Sequence, residues 1–481
     1  MALLEISSRS FPLPPMESET LALDLDENGF PIDSLSSEEE PVDRDSEKVE
    51  ERGLVIPSAA QNTGSFALDF YAGGTDWSCL ISKDKCSGNK GLVQKNLFQA
   101  WGIEKPSLIP PRSSISFSPP RKRHCLKRIA DDRSGPERPR ICPFYKKIPG
   151  TSFAVDAFRY GLIQGCSAYF LTHFHYDHYG GLSKRWSHGP IYCSPLTARL
   201  VKMCLSVNPL FICPLELDTE HVIDGVKVTL LEANHCPGAA LVHFRLKDGR
   251  CYLHTGDFRA CKMMQSYSLL TSQRINVLYL DTTYCNPKYR FPPKEDVVSF
   301  VVRTTRKYLE KQPKTLVVVG SYSIGKEHVY ITISQALGVQ IYTDPSRRRI
   351  LQSFGWPELC GQLCSSGQTS PLHVLPLSVL RPESLKEYLK KYSPQFTAVL
   401  AFRPTGWTYS EATGNHLDLI KPTSKGNITI YGVPYSEHSS YEELREFVKF
   451  LRPEKIIPTV NVGNAANRNK MQSYFQEWLK T

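Results

Sequence analysis

A chain of 481 residues, 41% apolar and 22% charged, can bury a large core over two or three domains. No apolar run approaches the ~20 residues of a membrane span, and the 14 cysteines follow no regular disulfide framework, so a membrane-spanning protein and a disulfide scaffold are both excluded. The net charge of +10 favours an anionic partner.

In chain order, residues 1–140 differ from the rest. Met1 to Glu5 lacks a basic stretch followed by an apolar one, so no signal peptide is expected. Glu17 to Arg52 is acidic and nearly free of aromatics, and Pro106 to Pro120 is rich in Pro and Ser. Neither stretch buries enough apolar surface to offset its ordering entropy, so residues 1–140 are expected to be a disordered N-terminal region. Arg121-Lys122-Arg123-His124-Cys125-Leu126-Lys127-Arg128 within it reads as a nuclear-localisation cluster, hence a nuclear protein. Leu97, Phe98 and Trp101 would share one face of a short helix, which reads either as a docking peptide for a protein partner around Leu97 to Trp101 or as a chance apolar patch in a tail.

From Ile141 strands and helices alternate, which predicts α/β layers. Strands are expected over Ala168 to Leu171, Val226 to Ala233, Cys251 to His254 and Val277 to Leu280. A new unit then brings a helix over Val297 to Lys311, a strand over Thr315 to Val319, a helix over Gly325 to Leu337 and a strand over Val339 to Tyr342. A helix over Ser384 to Lys391 and a strand over Thr397 to Phe402 follow. Strands over Asn427 to Tyr431 and Ile456 to Val460 precede a last helix.

The first strand runs into Thr172-His173-Phe174-His175-Tyr176-Asp177-His178-Tyr179-Gly180-Gly181. A His-x-His pair at a strand end points both imidazoles to one face, because side chains alternate with period two. Asp177 and His178 then approach from the turn beyond. Imidazole and carboxylate are zinc ligands, so one or two zinc ions beside an open position are expected. Further His and Asp residues stand just past strands: His235 in Asn234-His235-Cys236, Asp257 in Gly256-Asp257-Phe258-Arg259, and His438 in Ser436-Glu437-His438.

These residues resemble the signature of the metallo-β-lactamase superfamily, with Asp156 at its first motif, the His173 to His178 run at its second, His235 at its third and Asp257 at its fourth. Asp281 in Leu280-Asp281-Thr282-Thr283 and His438 resemble motifs A and B of the β-CASP branch, whose members process nucleic acids. Val460 falls where RNA-processing members carry histidine and DNA-processing members valine. From Cys142 to the C-terminus the chain resembles the DNA cross-link repair nucleases, the family of Artemis and Apollo. Tyr176 departs from a position often smaller in that family, and the ubiquitin-binding zinc finger of its large member is not visible.

The resemblance implies a metallo-β-lactamase αββα sandwich (141–290 and 426–481) interrupted by an inserted β-CASP α/β domain (291–425). It implies a zinc-dependent nuclease hydrolysing DNA from a 5′-phosphorylated end, in repair of interstrand cross-links or damaged ends. His173, His175, His235 and Asp257 would hold one metal, and Asp177, His178, Asp257 and His438 a second, with Asp257 bridging. Asp177, His178 and Asp257 would be catalytic, with Asp177 also suited to orient the attacking water, and Asp156 and Asp281 would orient the histidines from behind. Gly320-Ser321-Tyr322-Ser323-Ile324-Gly325-Lys326-Glu327 has the look of a P-loop, but Glu327 stands where Ser or Thr should hold magnesium. The amides of a helix N-terminus still make an anion site, and the resemblance places Ser323, Gly325 and Lys326 on the terminal phosphate. An RNA-processing nuclease of the same fold and a non-catalytic DNA-end-binding scaffold remain the alternatives.

Overall fold

The computed structural model of the chain describes residues 141–409 and 416–480. The N-terminal region, its basic cluster and the Leu97 to Trp101 segment lie outside the described residues.

Two sheets form the first body. One has the order β1 (Lys147–Ile148), β2 (Phe153–Val155), β3 (Ala168–Phe170), β4 (Ile191–Cys193), β5 (Ile212–Pro214) and is parallel from β2 to β5. The other is built from β6 (His221–Ile223), β7 (Val226–Glu232), β8 (Ala240–Arg245), β9 (Cys251–His254), β10 (Val277–Leu280) and β18 (Lys455–Pro458), ordered β18-β10-β9-β8-β7-β6. Alternation sorts each strand's residues onto two faces. Phe153, Val155, Ala168 and Phe170 of the first sheet join Val228, Leu230, Val242, Phe244, Tyr279 and Ile457 of the second in one buried cluster. The Phe170 and Phe244 rings meet edge to face at 5.1 Å, one from each sheet, so the sheets pack face to face.

The residues in between point outward and take helices. Tyr169, Leu171, Ile191 and Cys193 share a core with Leu200 and Val201 of the helix Pro195–Leu205. Ser194 caps that helix by accepting from the Thr197 amide, and Pro195 fits its first turn. Leu253, Leu278, Leu280 and Ile456 share it with Leu444, Phe447, Val448 and Leu451 of the helix Tyr441–Leu451, which Ser440 and Glu443 start with a reciprocal capping box. These layers are the αββα sandwich the sequence predicts.

The chain leaves this body after β10 and returns to pair β18 beside it, Val277 opposite Lys455 through Leu280 opposite Pro458. Between them lies a seven-stranded sheet, ordered β13 (Leu363–Cys364), β12 (Ile341–Tyr342), β14 (Leu372–Pro376), β11 (Thr315–Ser321), β15 (Ala398–Pro404), β17 (Ile428–Val433), β16 (Thr423–Lys425). Val317, Val319, Leu400 and Phe402 bury one face against the helices Lys294–Lys311 and Glu327–Leu337, while Leu316, Val318, Val399 and Ala401 bury the other with Leu385 and Leu389 of Pro382–Lys390.

Three expectations need correcting. The inserted domain does not end at residue 425: β17 pairs in parallel with β15, Val399 opposite Ile428 through Pro404 opposite Val433, so the boundary moves past Val433. The helix expected from Gly325 begins at Glu327, because Gly325 (φ +97°) and Lys326 (φ +70°) are left-handed and cannot continue a right-handed helix. The strand expected from Val339 is shortened to Ile341–Tyr342, since the Val339 amide still serves the preceding helix by donating to Ser334 O.

Candidate metal centre

Every residue named from the sequence as a ligand or as a support behind one lies beyond the C-terminal end of a strand or on the turn that follows. Asp156 follows β2, the His173 to His178 run follows β3, His235 follows β7, Asp257 follows β9, Asp281 follows β10 and His438 follows β17. Tyr176–Tyr179 forms a single helical turn carrying Asp177 and His178. Gly256 has φ +53°, and a Cβ there would stand 2.7 Å from Thr172 Cβ, so only glycine lets the Asp257 loop approach the histidine loop.

Hydrogen bonds behind the imidazoles fix which nitrogen of each carries a proton. His175 Nε2 lies 3.2 Å from Ile324 O, and His235 Nδ1 lies 2.8 Å from Glu437 O. A carbonyl only accepts, so those nitrogens are protonated and His175 Nδ1 and His235 Nε2 keep their lone pairs. Asp156 Oδ2 accepts from His178 Nδ1 at 2.7 Å, and Asp281 Oδ2 from His438 Nδ1 at 2.8 Å. Thr172 Oγ1 donates to Asp156 Oδ2 at 2.8 Å, so it can only accept from His173 Nδ1 at 3.0 Å. All five imidazoles thus turn a lone pair toward one space.

That space is built for cations. His175 Nδ1 is 2.9 Å from His173 Nε2 and 3.2 Å from His235 Nε2, an arrangement of facing lone pairs that a positive charge among them relieves. Asp257 Oδ2 sits at 3.7 Å from His173 Nε2, 3.3 Å from His178 Nε2, 3.8 Å from His235 Nε2 and 4.0 Å from His438 Nε2. Asp177 Oδ2 is 3.4 Å from His178 Nε2. The donors fall into overlapping groups, His173 with His175 and His235, His173 with His178 and Asp257, and His235 with Asp257 and His438, whose ligand atoms lie within 4.8 Å of one another. Asp257 is common to the last two. Nitrogen and carboxylate donors in this number fit zinc or a similar divalent ion.

Electrostatics agree. Burial and the neighbouring imidazoles hold His173 and His235 well below the usual histidine pKa, so both stay neutral. Burial opposes charge on His178, but Asp257, Asp177 and Asp156 outweigh it and hold its pKa well above the usual value. Burial would raise the Asp156 carboxyl, yet His178 and Lys146 bring it down to about 2. The carboxylates around His178 thus favour positive charge at this place, as a bound cation would supply. Cys236 Sγ also lies in the first donor group, but burial and then Glu437 push its thiol pKa well above normal, which makes it a poor ligand.

The supposed phosphate loop is arranged differently from the expectation. Ser323 is half-buried at the end of β11. The Gly325 amide donates to Glu327 Oε1 at 2.7 Å and the Lys326 amide to Glu437 Oε1 at 2.7 Å. Lys326 Nζ, in a residue only 5% exposed, pairs with Glu437 Oε2 at 2.5 Å. The open anion site expected at Gly325 and Lys326 is already filled by the protein's own carboxylates. Trp186 and Tyr284 are core residues: Trp186 donates to Gly189 O and packs on Phe158 and Tyr169, and Tyr284 packs on Tyr289 and Phe291. In the basic run Arg347-Arg348-Arg349 of the helix Pro345–Gln352, Arg347 is buried. Val460 is half-buried and exchanges hydrogen bonds with Thr282 Oγ1, beside Asp281.

Sequence reasoning missed three supports. Glu437 lies beside a recognised ligand but its partner is 111 positions away. Lys294 donates to Asn234 O and Oδ1, bracing the turn before His235. Buried Arg259 donates to Ser436 O and Pro292 O and pairs with Glu443, tying the Asp257 loop to the His438 loop.

The chain is similar to known DNA repair proteins. A family model described as "DNA repair metallo-beta-lactamase" matches residues 357–464, which include His438 and Val460. The chain is 61% identical over 438 residues to the "DNA cross-link repair protein SNM1" of Arabidopsis thaliana, covering 86% of this chain and 90% of that one. It is 50% identical to the human "DNA cross-link repair 1A protein" over 72% of this chain and 33% of the relative, and 35% identical to the "5' exonuclease Apollo" of Gallus gallus over 65% and 63%. Among the described residues no helix is long and apolar enough to cross a membrane. Metal binding is a property of this family, and the donor set described above supplies the means. The chain belongs to the metallo-β-lactamase/β-CASP family of DNA cross-link repair nucleases.

Proposed function

We propose that the protein is a zinc-dependent DNA exonuclease that hydrolyses phosphodiesters from a 5′ end, acting in the nucleus in repair of interstrand cross-links or damaged ends. The observation that carries the reading is the convergence of five imidazole lone pairs and Asp257 Oδ2 on one space at the strand ends. The names of the relatives, which include a 5′ exonuclease and cross-link repair proteins, support the substrate and polarity. The net charge of +10 suits a polyanion.

Bound zinc would supply a Lewis acid for the scissile phosphate and acidify the attacking water. The chain's own residues do the rest. His173, His175, His235 and Asp257 would hold one ion, and Asp177, His178, Asp257 and His438 the second. Asp177, whose side chain is 30% exposed, stands at the open side and can orient the water, with its loop braced by Arg159 donating to Asp177 O at 3.3 Å. Asp156 and Asp281 hold His178 and His438 in the ligating tautomer. Ser323 is the loop residue left to meet a 5′-terminal phosphate.

The test is digestion of end-labelled single- and double-stranded DNA with 5′-phosphate or 5′-hydroxyl ends, beside matched RNA. Stepwise loss from the 5′-phosphorylated DNA end is expected. Faster cleavage of RNA would replace this reading with that of an RNA-processing enzyme, and binding without cleavage would replace it with an end-binding scaffold.

A further inference from the structure

The loop after β11 of the inserted domain reaches the metal centre at His175, and one carboxylate shapes that loop. Glu437, 4% exposed, makes three contacts at once. Its carbonyl accepts from His235 Nδ1 at 2.8 Å, its Oε1 accepts the Lys326 amide at 2.7 Å, and its Oε2 pairs with Lys326 Nζ at 2.5 Å. The backbone is bent to meet it: Gly325 and Lys326 have φ +97° and +70°, and a Cβ on Gly325 would stand 3.0 Å from Glu437 Oε2. One residue earlier, Ile324 O accepts from His175 Nε2 at 3.2 Å. The Glu437 carboxylate therefore fixes the peptide whose neighbour sets the proton of His175, while the backbone carbonyl of Glu437 sets that of His235.

We propose that Glu437 is a positioning residue for the metal, and that Lys326 is its counter-ion rather than a contact of the 5′-terminal phosphate. Two of the three imidazoles of one ligand group, His175 and His235, take their tautomer from carbonyls that this ion pair holds in place. The docking of the inserted domain and the affinity of the metal site are then one property. A ligand of this kind that loses its outer partner binds metal roughly 10- to 100-fold more weakly.

This rests on the metal-binding part of the proposed function and not on the DNA part. The experiment uses full-length wild type, Glu437→Gln, Lys326→Met and the double variant. Zinc affinity is read by competition with a chromophoric chelator, metal-free stability by thermal unfolding, and cleavage by the ratio of 5′-phosphate to 5′-hydroxyl DNA. Each single variant displaces these carbonyl partners without removing them, so it should lose about 10-fold in zinc affinity, the lower end for a ligand's outer partner, while keeping the wild-type ratio of the two DNA ends. The double variant, with no buried unpaired charge and Gln Oε1 still accepting the Lys326-position amide, should recover most of the affinity and fold like wild type. Unchanged zinc affinity with a lowered melting temperature in the singles would overturn the proposal, as would a double variant that folds but binds zinc no better than they do. Loss of the 5′-phosphate preference in Lys326→Met at unchanged zinc affinity would return Lys326 to the substrate. If wild type cleaves no DNA, the nuclease reading fails, yet the zinc affinities still decide this one.

Discussion

Asp156→Asn changes one atom and should disable the metal site without unfolding the protein. Asp156 accepts three hydrogen bonds: from the Thr172 amide at 2.9 Å, Thr172 Oγ1 at 2.8 Å and His178 Nδ1 at 2.7 Å. Asparagine tolerates the φ of +50° found there, so the backbone is not strained. Its single oxygen stays with the fixed amide, which leaves its NH2 facing Thr172 Oγ1 and His178 Nδ1. To receive those protons, His178 must shift its own proton to Nε2, on the metal side. Thr172 Oγ1, now an acceptor, turns its proton toward His173 Nδ1, and that imidazole reverses as well. Two lone pairs are lost from the site. The expected loss in zinc affinity is about 100-fold, or ~2.7 kcal/mol, at the upper end for a residue behind a ligand. The assay is chelator competition on purified protein, with thermal unfolding as the control for folding. Zinc affinity within about twofold of wild type would refute the tautomer argument.

Three other substitutions probe separate features. Glu327 is buried beside Glu437, and burial followed by that charge raises its carboxyl from 4.5 to about 7. A carboxyl with a raised folded pKa destabilises the folded state as pH rises from about 4.5 through 7, by about 3 kcal/mol at pH 8. Glu327→Gln keeps an acceptor for the Gly325 amide, so it should raise stability in denaturant unfolding at pH 8 and have little effect at pH 4.5, and the opposite order would refute it. Gly256→Ala forces a Cβ within 2.7 Å of Thr172 Cβ at a left-handed backbone, and should separate Asp257 from the histidine loop. Zinc titration should then show the loss of bound metal, and full stoichiometry would show that the loops can yield. Tyr176 is 49% exposed one residue from His175 and Asp177, so Tyr176→Ala should change stability by less than about 0.5 kcal/mol. It should weaken single-stranded DNA binding by about 1 kcal/mol through lost stacking on a base, measured by fluorescence anisotropy, whereas equal affinities would place the ring off the DNA path.

Much of the arrangement could be read from the sequence because it depends on local periods. Strand alternation located β3, β7, β9 and β10 to within a residue or two, and the ligands stand at strand ends because those loops form the rim. What escaped depends on distant partners. Residues 423–433 carry the same alternating pattern whichever sheet they join, so only the ladder with β15 assigns them to the inserted domain. Lys326 looked like a free cation because Glu437, which neutralises it, arrives from 111 positions away. The left-handed φ of Lys326 breaks the local rule for a non-glycine residue, and that strain is held by Glu437 and the packing around it. Arg347 reads as surface charge, but its place on the inner side of Pro345–Gln352 is set by tertiary packing.

The proposed nuclease reading requires that Asp257 and the imidazoles around it would hold the metal that hydrolysis of DNA needs. The most direct measurement is cleavage of 5′-phosphorylated, end-labelled DNA by wild type, wild type stripped with chelator and then reloaded with zinc, and Asp257→Ala. The account predicts 5′-end digestion by wild type, its loss on stripping, its return with zinc, and none by a folded Asp257→Ala, which removes the oxygen standing within 4.0 Å of four imidazole nitrogens. Equal digestion by stripped wild type or by Asp257→Ala would contradict it.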